Sequence, residues 1–443
     1  MPYIPNTDAD REAMLASLGL TQMADLYREV PAQVLDPPID LPEPLSESEI
    51  MAEMRRLSDK NCDATRYATF LGAGSYNHFS PAAVYRIMSR GEFYTAYTPY
   101  QPELSQGTLQ WTYEWQTLIC QLTGMDVANA GMWDASTAMA EAALMATNIT
   151  KRRVVLISRG VHPQYREVLR TYAPSHGVEV REIQISHDLE NLGQDVACVI
   201  VQQPNFFGTI RDLNETAAKI HAVGALFLMV FDPIALGLLK APGELDVDIA
   251  IGEGQALGAP QQFGGPYSGI LAAKDKYTRS LPGRLAGMTK DTRDGKRGYV
   301  LTLQTREQHI RREKATSNIC TNSALIALAN TAYLALMGKQ GLRRVAEICY
   351  NRAHYLADQI SQLPGFAIQN DGPFFKEFVV QTPLPPAELN HRLLEHHIIG
   401  GLDISDQVPN GWLLCVTELN SREQLDRLVA ALRTITGGEG AEA

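Results

Sequence analysis

Six short apolar runs between residues 153 and 272 alternate with stretches of helical character, and this alternation constrains the fold more than any other feature. Strand-like and helix-like segments in alternation are typical of a mostly parallel sheet covered by helices. The sequence therefore predicts an α/β fold. Its expected strands are residues 153–158, 178–185, 196–201, 225–231, 247–251 and 268–272.

Two neighbouring strand ends carry the first functional signal. Asp232 follows the run 225–231, and a glycine-rich loop follows the run 247–251. Open α/β sheets bind ligands at the carboxyl ends of their strands. An aspartate there, with a lysine after the next strand, indicates a pyridoxal-phosphate architecture, in which the aspartate partners the ring nitrogen and the lysine forms the Schiff base. Here Gln255 occupies the lysine position. Its amide nitrogen is not nucleophilic, because the lone pair is delocalised into the carbonyl.

The sequence around Gln255 resembles one family. Residues 252–258 read Gly-Glu-Gly-Gln-Ala-Leu-Gly and residues 263–267 read Phe-Gly-Gly-Pro-Tyr. Both stretches resemble the loop of the glycine decarboxylase P-protein of the glycine cleavage system. The catalytic subunit of that family has His-Lys where this chain has Gly254 and Gln255. The likeness is to the lysine-free alpha subunit of two-subunit P-proteins, and it covers nearly the whole chain.

The resemblance implies a fold-type I pyridoxal-phosphate transferase architecture and a division of labour. A lysine-bearing beta subunit would bind pyridoxal phosphate covalently, and this chain would pair with it as an alpha2beta2 assembly. The pair would decarboxylate glycine and pass the aminomethyl group to the lipoyl group of H-protein. Along the chain we expect a helical arm over residues 1–60, a large domain over 61–335 and a small α+β domain over 336–443.

Residues 94–106 lack helical or strand periodicity and combine prolines with tyrosines, hydroxyls and amides. By residue chemistry they form either a binding loop or a rigid surface turn whose tyrosines pack. The resemblance favours the binding loop, because the stretch is similar to the P-protein signature that reaches a shared active site. The candidate residues of this shared-site loop are Tyr94, Thr95, Tyr97, Thr98, Tyr100, Gln101, Glu103 and Gln106.

A second set of candidates surrounds the missing lysine. Ser136 and Thr137 lie where a loop leads into a helix, a position that suits either a phosphate or an ordinary helix cap. His162 follows the first strand-like run, where related folds stack a ring on the cofactor; a capped core histidine fits as well. Because the lysine is absent, we interpret Ser136, Thr137, His162, Asp232 and Gln255 as a vestigial cofactor pocket.

Residues 301–322 carry the densest positive charge, interleaved with glutamate and amides. Charge patterning alone allows a solvated helix face. An arginine cluster that neutralises phosphate or carboxylate at a subunit junction is the alternative. The family likeness runs through this segment and favours the cluster, with Arg311, Arg312 and Asn318 as its candidates.

Composition excludes several classes of function and of cellular location. A net charge of -11 without a dense basic run argues against a nucleic-acid surface. The six cysteines lack metal-ligand spacing, so we expect no metal site and reduced thiols in a cytoplasmic protein. No apolar run approaches the ~18 residues of a membrane span, and the N-terminus lacks a secretion signal.

Two other functions stay open at this point. A stand-alone pyridoxal-phosphate aminotransferase or lyase would need another lysine, and Lys240 and Lys274 are the nearest to the loop. A purely structural or regulatory pseudoenzyme subunit would lend no residue to turnover. Spectroscopic detection of the cofactor on the isolated chain would support the first, and loop variants in a reconstituted pair would identify the second.

Overall fold

The computed structural model describes residues 5–262, 264–315, 317–319 and 322–437. Phe263 of the glycine-rich loop and Thr316, Cys320 and Thr321 of the basic segment lie outside the described residues. The chain divides into two compact units, Met1–Cys62 and Asp63–Ala443. No helix in the described part of the chain has the length and apolar character needed to cross a membrane.

The elements are numbered along the chain. The helices are α1 (Asp8–Ser17), α2 (Glu47–Ser58), α3 (Ala82–Met88), α4 (Gly91–Tyr94), α5 (Gln106–Thr123), α6 (Ala135–Thr150), α7 (Pro163–Tyr172), α8 (Ile185–Asp188), α9 (Thr216–Ala222), α10 (Gln308–Arg311), α11 (Ala324–Ser361), α12 (Pro386–Leu394) and α13 (Arg422–Gly437). The strands are β1 (Ala68–Thr69), β2 (Val127–Ala128), β3 (Val154–Ser158), β4 (Glu179–Ile183), β5 (Val196–Gln203), β6 (Leu226–Phe231), β7 (Ile249–Glu253), β8 (Gly269–Ala273), β9 (Leu285–Lys290), β10 (Arg297–Thr302), β11 (Ala367–Ile368), β12 (Glu377–Gln381), β13 (Ile398–Ile399), β14 (Leu402–Asp403) and β15 (Gly411–Cys415).

The first unit contains the helices α1 and α2. Thr7 caps α1, and Ser46 caps α2 through a capping box with Glu49. Many large apolar side chains of this unit are exposed, including Ile39 and Leu41. The regular elements of this unit are helical, and the helical arm over residues 1–60 stays a prediction.

The centre of the second unit is a seven-stranded sheet in the order β2-β8-β7-β6-β5-β3-β4. Strands β3 to β7 are parallel to one another. Strand β8 runs antiparallel to β7, and β2 runs antiparallel to β8. All six predicted strands lie in this sheet, which confirms the mostly parallel α/β fold. Core clusters cover both faces, one with α6 and the other with α5 and α11, and this explains the continuous apolar character of β3, β5 and β6.

A smaller sheet follows in the same unit, with the antiparallel order β11-β12-β15-β14. It packs with the helices α12 and α13 and the second part of α11 around Phe378 and Trp412. Helix α11 is broken at Gly338, whose φ of 57° and ψ of -176° are not helical. This α+β arrangement agrees with the expected C-terminal elements; the domain boundaries at 60/61 and 335/336 stay predictions.

Candidate functional site

Asp232 lies directly after β6, at the carboxyl edge of the large sheet, and forms an ion pair with Lys376. The distance from Lys376 Nζ to Asp232 Oδ2 is 2.6 Å, and the lysine is only 1% exposed. Burial opposes both charges, but their attraction outweighs it, so the pKa of Asp232 is lowered and the pKa of Lys376 is raised. The carboxylate that the sequence assigns to a cofactor ring nitrogen is thus paired with a cation of its own chain.

A buried polar chain continues from this ion pair through His78 to Glu418. Lys376 Nζ lies 3.0 Å from His78 Nε2, and His78 Nδ1 lies 2.6 Å from Glu418 Oε2. Burial and the charge of Lys376 lower the pKa of His78, so the ring is neutral. Because a carboxylate only accepts, Nδ1 carries the proton and donates to Glu418, while Nε2 accepts from Lys376. Both ring nitrogens are therefore occupied, although His78, Cys349 and Glu418 place possible metal-ligand atoms within 4.8 Å of one another.

Tyr76 fills the space beside this polar chain. Lys376 Nζ lies 3.5 Å from the centroid of its ring, and its hydroxyl donates to Glu377 Oε2 at 2.9 Å. The other carboxylate oxygen of Glu377 accepts from the backbone N–H of Ala73 at 2.6 Å. Burial raises the pKa of Glu377 to about 7. Residues 72–78, which precede α3, consequently contribute a tyrosine and a histidine to the interior of the pocket.

Gln255 is fully buried in the turn after β7, where it holds the backbone of Tyr76. Its amide Nε2 donates to the carbonyl oxygens of Tyr76 and Ala259, both at 2.9 Å, and its Oε1 accepts from the N–H of Tyr76 at 2.8 Å. An amide can do this because it is both donor and acceptor, whereas a lysine ammonium only donates. The residue at the lysine position is therefore a structural clamp.

The N-terminus of α6 is satisfied by acidic side chains. Asp134 caps the helix and accepts from the N–H of Thr137 at 2.9 Å and from the hydroxyl of Ser136. Glu253 Oε2 accepts from the N–H of Ala135 at 3.0 Å, and two further backbone N–H groups donate to its other oxygen. Burial raises the pKa of Glu253 to about 8, against the effect of these donors. Ser136 and Thr137 accordingly belong to an ordinary cap, with Glu253 beside it.

His162 contacts its own chain on both sides of the ring. It caps α7 by accepting from the N–H of Gln164 at 3.2 Å, and its Nε2 lies 2.9 Å from the carbonyl oxygen of Ala73. The ring stacks on Tyr165 with a centroid distance of 4.6 Å. Of the two possibilities left open by the sequence, this geometry matches a capped core histidine.

A cavity of about 30 Å³ remains among these groups, lined by Tyr76, His162, Asp232, Glu253 and Glu377 with their neighbours. That volume holds roughly one or two water molecules, whereas small-molecule pockets measure roughly 300–1,000 Å³. Because the ring-nitrogen partner, the helix N-terminus and the lysine position are all engaged within the chain, these residues do not fit pyridoxal phosphate. A separate cleft of about 630 Å³ opens at the carboxyl ends of β3, β4 and β5, and neither Asp232 nor Gln255 lines it.

The other lysines considered from the sequence lie elsewhere. Lys240 is exposed and donates to Asn214 at 2.6 Å. Lys274 pairs with Asp246 and Asp248 at 2.6 and 3.2 Å. Neither side chain lines the cavity beside Asp232. The geometry thus offers a stand-alone pyridoxal-phosphate enzyme no lysine in this pocket.

Residues 94–106, the shared-site loop of the sequence analysis, connect α4 to α5 on the surface. Tyr94 and Tyr97 are 70% and 78% exposed, and no described residue hydrogen-bonds to either hydroxyl. Tyr100 is half-exposed and accepts from Arg284 Nη2 at 3.1 Å. A cavity of about 280 Å³, lined in part by Tyr97, Thr98 and Arg284, lies beneath the loop. The loop therefore combines an anchored base with exposed tyrosines.

Other loop residues divide between structural and exposed positions. Gln106 donates to the carbonyl oxygens of Pro102 and Tyr299 at 2.7 and 2.9 Å and accepts from the N–H of Tyr299 at 2.9 Å. It therefore fastens the end of the loop to β10. The side chain of Thr95 donates to the carbonyl oxygen of Gly91 at 2.6 Å and ends α4. Gln101 and Glu103 are exposed.

The basic segment adjoins this loop. His309, which precedes Arg311 on α10, makes an edge contact with Tyr100 at a ring-centroid distance of 6.1 Å. Arg311, Arg312 and Asn318 are exposed, and neither arginine forms a salt bridge with a described residue. The structure thus brings the basic segment to the face of the loop.

Sequence analysis missed the groups that fill the pocket. Lys376 directly precedes β12, Glu377 is the first residue of that strand, and Glu418 follows β15. The available signal was a charged pair immediately before the apolar run 378–380, because charged residues are buried only when they are paired. That signal indicates burial but names no partner, so the contact with Asp232 is visible only in the folded chain.

Comparisons with known proteins match nearly the whole chain to one family. The family model described as "Glycine cleavage system P-protein" matches residues 1–432. Relatives named "Probable glycine dehydrogenase (decarboxylating) subunit 1" from Thermomicrobium roseum and Moorella thermoacetica are 54% and 52% identical, each over 98% of this chain and 100% of the relative.

Solved structures give the same result. A crystal structure of "glycine decarboxylase (P-protein) of the glycine cleavage system, in inhibitor-bound form" matches with a TM-score of 0.91 and 44% identity, over 98% of this chain and 100% of that one. A sphingosine-1-phosphate lyase from Burkholderia pseudomallei, with a TM-score of 0.65 and 13% identity over 92% of this chain and 94% of that one, shows the fold alone, which is that of fold-type I pyridoxal-phosphate enzymes. The chain belongs to the glycine cleavage system P-protein family, as a subunit of its glycine dehydrogenase (decarboxylating), an oxidoreductase.

Proposed function

We propose that this chain is the alpha subunit of a glycine decarboxylase whose lysine-bearing beta subunit binds pyridoxal phosphate covalently. A subunit numbered 1 in the relatives implies a further subunit, and we infer an alpha2beta2 assembly in the cytoplasm. The cofactor on the beta subunit supplies the electron sink for glycine decarboxylation. The aminomethyl group then passes to the lipoyl group of H-protein.

Residues 94–106 carry this proposal, because they expose chemistry that the chain itself does not use. Exposed clusters of aromatic side chains mark binding surfaces, and Tyr94 and Tyr97 are 70% and 78% exposed. Tyr94 and Tyr97 have no partner for their hydroxyls among the described residues. We infer that Tyr97, Tyr100 and Gln101 face the active site of the beta subunit, where they bind and orient substrate or cofactor oxygens.

The anchoring of the loop supports a positioning role. Gln106 fixes one end to β10, and Arg284 holds Tyr100 near the middle. A loop held in one conformation loses little entropy when a partner or substrate engages it. Arg311 and Arg312, on the adjoining basic segment, then supply positive charge for a carboxylate or phosphate at the subunit junction.

The test is reconstitution with the lysine-bearing subunit. The purified pair should decarboxylate glycine in the presence of lipoylated H-protein, and neither subunit alone should do so. Full activity of the beta subunit alone would contradict the proposal and would favour a regulatory subunit. An adduct of pyridoxal phosphate on the isolated alpha chain, reducible with borohydride, would contradict the assignment of the cofactor to the beta subunit.

Loop variants test the shared site. Tyr97→Phe removes one hydroxyl with little change in volume, and losing a charge-assisted hydrogen bond of roughly 1.5–3 kcal/mol lowers turnover about tenfold or more. Tyr85→Phe is the matched control, since Tyr85 is also 70% exposed but lies on α3. Unchanged turnover for Tyr97→Phe, or a loss explained entirely by subunit dissociation, would defeat the shared site.

A further inference from the structure

We propose that the cofactor pocket of this chain is occupied by the chain's own side chains, which make the polar contacts of pyridoxal phosphate and thereby exclude it. This goes beyond the proposed function, which requires only that the lysine be absent. Loss of a lysine removes one covalent bond, but ring-nitrogen and phosphate contacts also hold the cofactor. A pocket that lacked only its lysine would still accept a pyridoxal-phosphate analogue.

The first substitution is at the ring-nitrogen position. In the pyridoxal-phosphate architecture an aspartate at this strand end pairs with a protonated ring nitrogen. Here the Lys376 ammonium pairs with Asp232 at 2.6 Å. Both are cationic N–H donors to one carboxylate, so Lys376 satisfies Asp232 without a cofactor. Its contact with the Tyr76 ring adds a cation–π attraction at 3.5 Å.

The second substitution is at the N-terminus of α6. Free N–H groups and the helix dipole at such a terminus favour an anion, and phosphate is the usual occupant in cofactor folds. The carboxyl group of Glu253 accepts from the N–H of Ala135 at 3.0 Å, and the side chain of Asp134 accepts from the N–H of Thr137 at 2.9 Å. An incoming phosphate would have to displace these two acidic groups.

The third substitution is at the lysine position. Gln255 makes three side-chain hydrogen bonds within the chain. Two of them fix the backbone of Tyr76, and the third goes to the carbonyl oxygen of Ala259. Tyr76 in turn donates to Glu377 and contacts Lys376, and with Asp232 and Glu377 it lines the cavity of about 30 Å³ that remains. The side chains at the three cofactor positions therefore depend on one another.

These contacts also connect two sheets. Asp232 and Gln255 follow strands of the seven-stranded sheet, whereas Lys376 and Glu418 adjoin β12 and β15 of the four-stranded sheet. His78 links Lys376 to Glu418. The filled pocket therefore serves as an internal connection that holds the small sheet against the large one.

Pyridoxamine phosphate is the discriminating probe, because it has the ring and the phosphate but forms no Schiff base with lysine. Titration calorimetry of the full-length wild-type chain should detect no binding, and saturating probe should leave its unfolding temperature unchanged. A crystal grown with the probe should show no ligand between Asp232 and the N-terminus of α6. If calorimetry detects binding, the crystal locates it: probe density at that position would overturn the proposal, while density confined to the cleft at β3 and β5 would leave the pocket closed.

An opened pocket provides the converse test. The double variant Tyr76→Ala, Lys376→Ala should unfold at a lower temperature than wild type. Pyridoxamine phosphate should raise that unfolding temperature again, in a concentration-dependent manner. Lys240→Ala is the matched control and should show neither effect. A double variant that folds but does not bind pyridoxamine phosphate would show that these two side chains are not what excludes the cofactor. If that variant does not fold, the wild-type titration still decides, because it needs no substitution.

The two proposals can fail separately. Probe density between Asp232 and the N-terminus of α6 would overturn the filled pocket but would leave activity in the reconstituted pair untouched. An inactive pair would overturn the proposed function without opening the pocket.

Discussion

The cofactor pocket and the loop at residues 94–106 contrast within one subunit. In the pocket, ionisable side chains pair with one another and leave about 30 Å³. At the loop, Tyr94 and Tyr97 are exposed above a cavity of about 280 Å³. The difference teaches that a fold can close the site where its relatives bind a ligand and still present polar groups to a partner. Substitutions should therefore affect stability in the first region and turnover in the second.

The largest loss of stability is expected for Lys376→Met, which removes the cation of the buried ion pair in the pocket. Asp232 would keep a buried charge without its cation, and breaking a buried ion pair costs roughly 3–5 kcal/mol of unfolding free energy. Urea unfolding of the isolated chain measures the loss. Lys240→Met, at an exposed lysine, should stay within about 0.5 kcal/mol. A loss below about 1 kcal/mol for Lys376→Met would show that the ion pair does not hold the pocket.

Glu377→Gln should reveal a pH dependence in the same region. Burial raises the pKa of Glu377 to about 7 from the 4.5 of the unfolded chain, so the folded state binds the extra proton between these values. Its stabilising contribution is present below pH 4.5 and is lost as the pH rises to about 7. The stability of wild type relative to the glutamine variant should fall over this window by up to about 3 kcal/mol.

Thermal unfolding of both proteins from acid to neutral pH checks this expectation. Glu253, whose pKa is raised to about 8, contributes with the same sign, but it is present in both proteins and cancels in the difference. A difference that is constant across the window, or that grows in favour of wild type as pH rises, would contradict the protonated form of Glu377.

Tyr100→Phe probes the boundary between the two regions, because its hydroxyl is anchored within the chain by Arg284. Loss of that hydrogen bond at a half-exposed side chain should cost about 1 kcal/mol of unfolding free energy. Turnover of the reconstituted pair should also fall, since Tyr100 lies in the loop. Equal stability of variant and wild type would mean that Arg284 does not anchor the loop in solution.

Tyr97→Phe should have the smallest effect on stability and so separates the regions most clearly. Its hydroxyl has no partner among the described residues, and a surface substitution of this kind stays within about 0.5 kcal/mol. The same variant is expected to lower turnover of the pair about tenfold. Calorimetry of the isolated chain and the decarboxylation assay together give the comparison. A destabilised Tyr97→Phe chain would show that the Tyr97 hydroxyl has a hydrogen-bond partner within the isolated chain.

The sequence was sufficient for the large sheet because each strand is a local pattern. Runs such as 196–201 and 225–231 are apolar throughout, as strands covered on both faces must be. The sequence holds no comparable local pattern for the reversed direction of β8 or for the pairing of β9 with β10. Strand direction and register depend on distant chain segments.

The candidate site was predictable to the extent that it depends on single residues. The places after strands identify Gln255, Asp232 and His162, and the loop that leads into a helix identifies Ser136 and Thr137. What fills the pocket was not predictable, because Lys376 meets Asp232 only when the small sheet packs against the large one. A buried charge in sequence indicates a partner without identifying it.

The clamp between Gln255 and Tyr76 has an evolutionary consequence. Gln255→Lys would restore the nucleophile, yet it would leave the Tyr76 carbonyl and N–H without the amide that pairs with both. A lysine at position 255 would therefore start from a less stable chain, while the filled-pocket proposal requires changes at Lys376 and Tyr76 as well before a cofactor could enter. A single substitution is for this reason not sufficient to open the pocket.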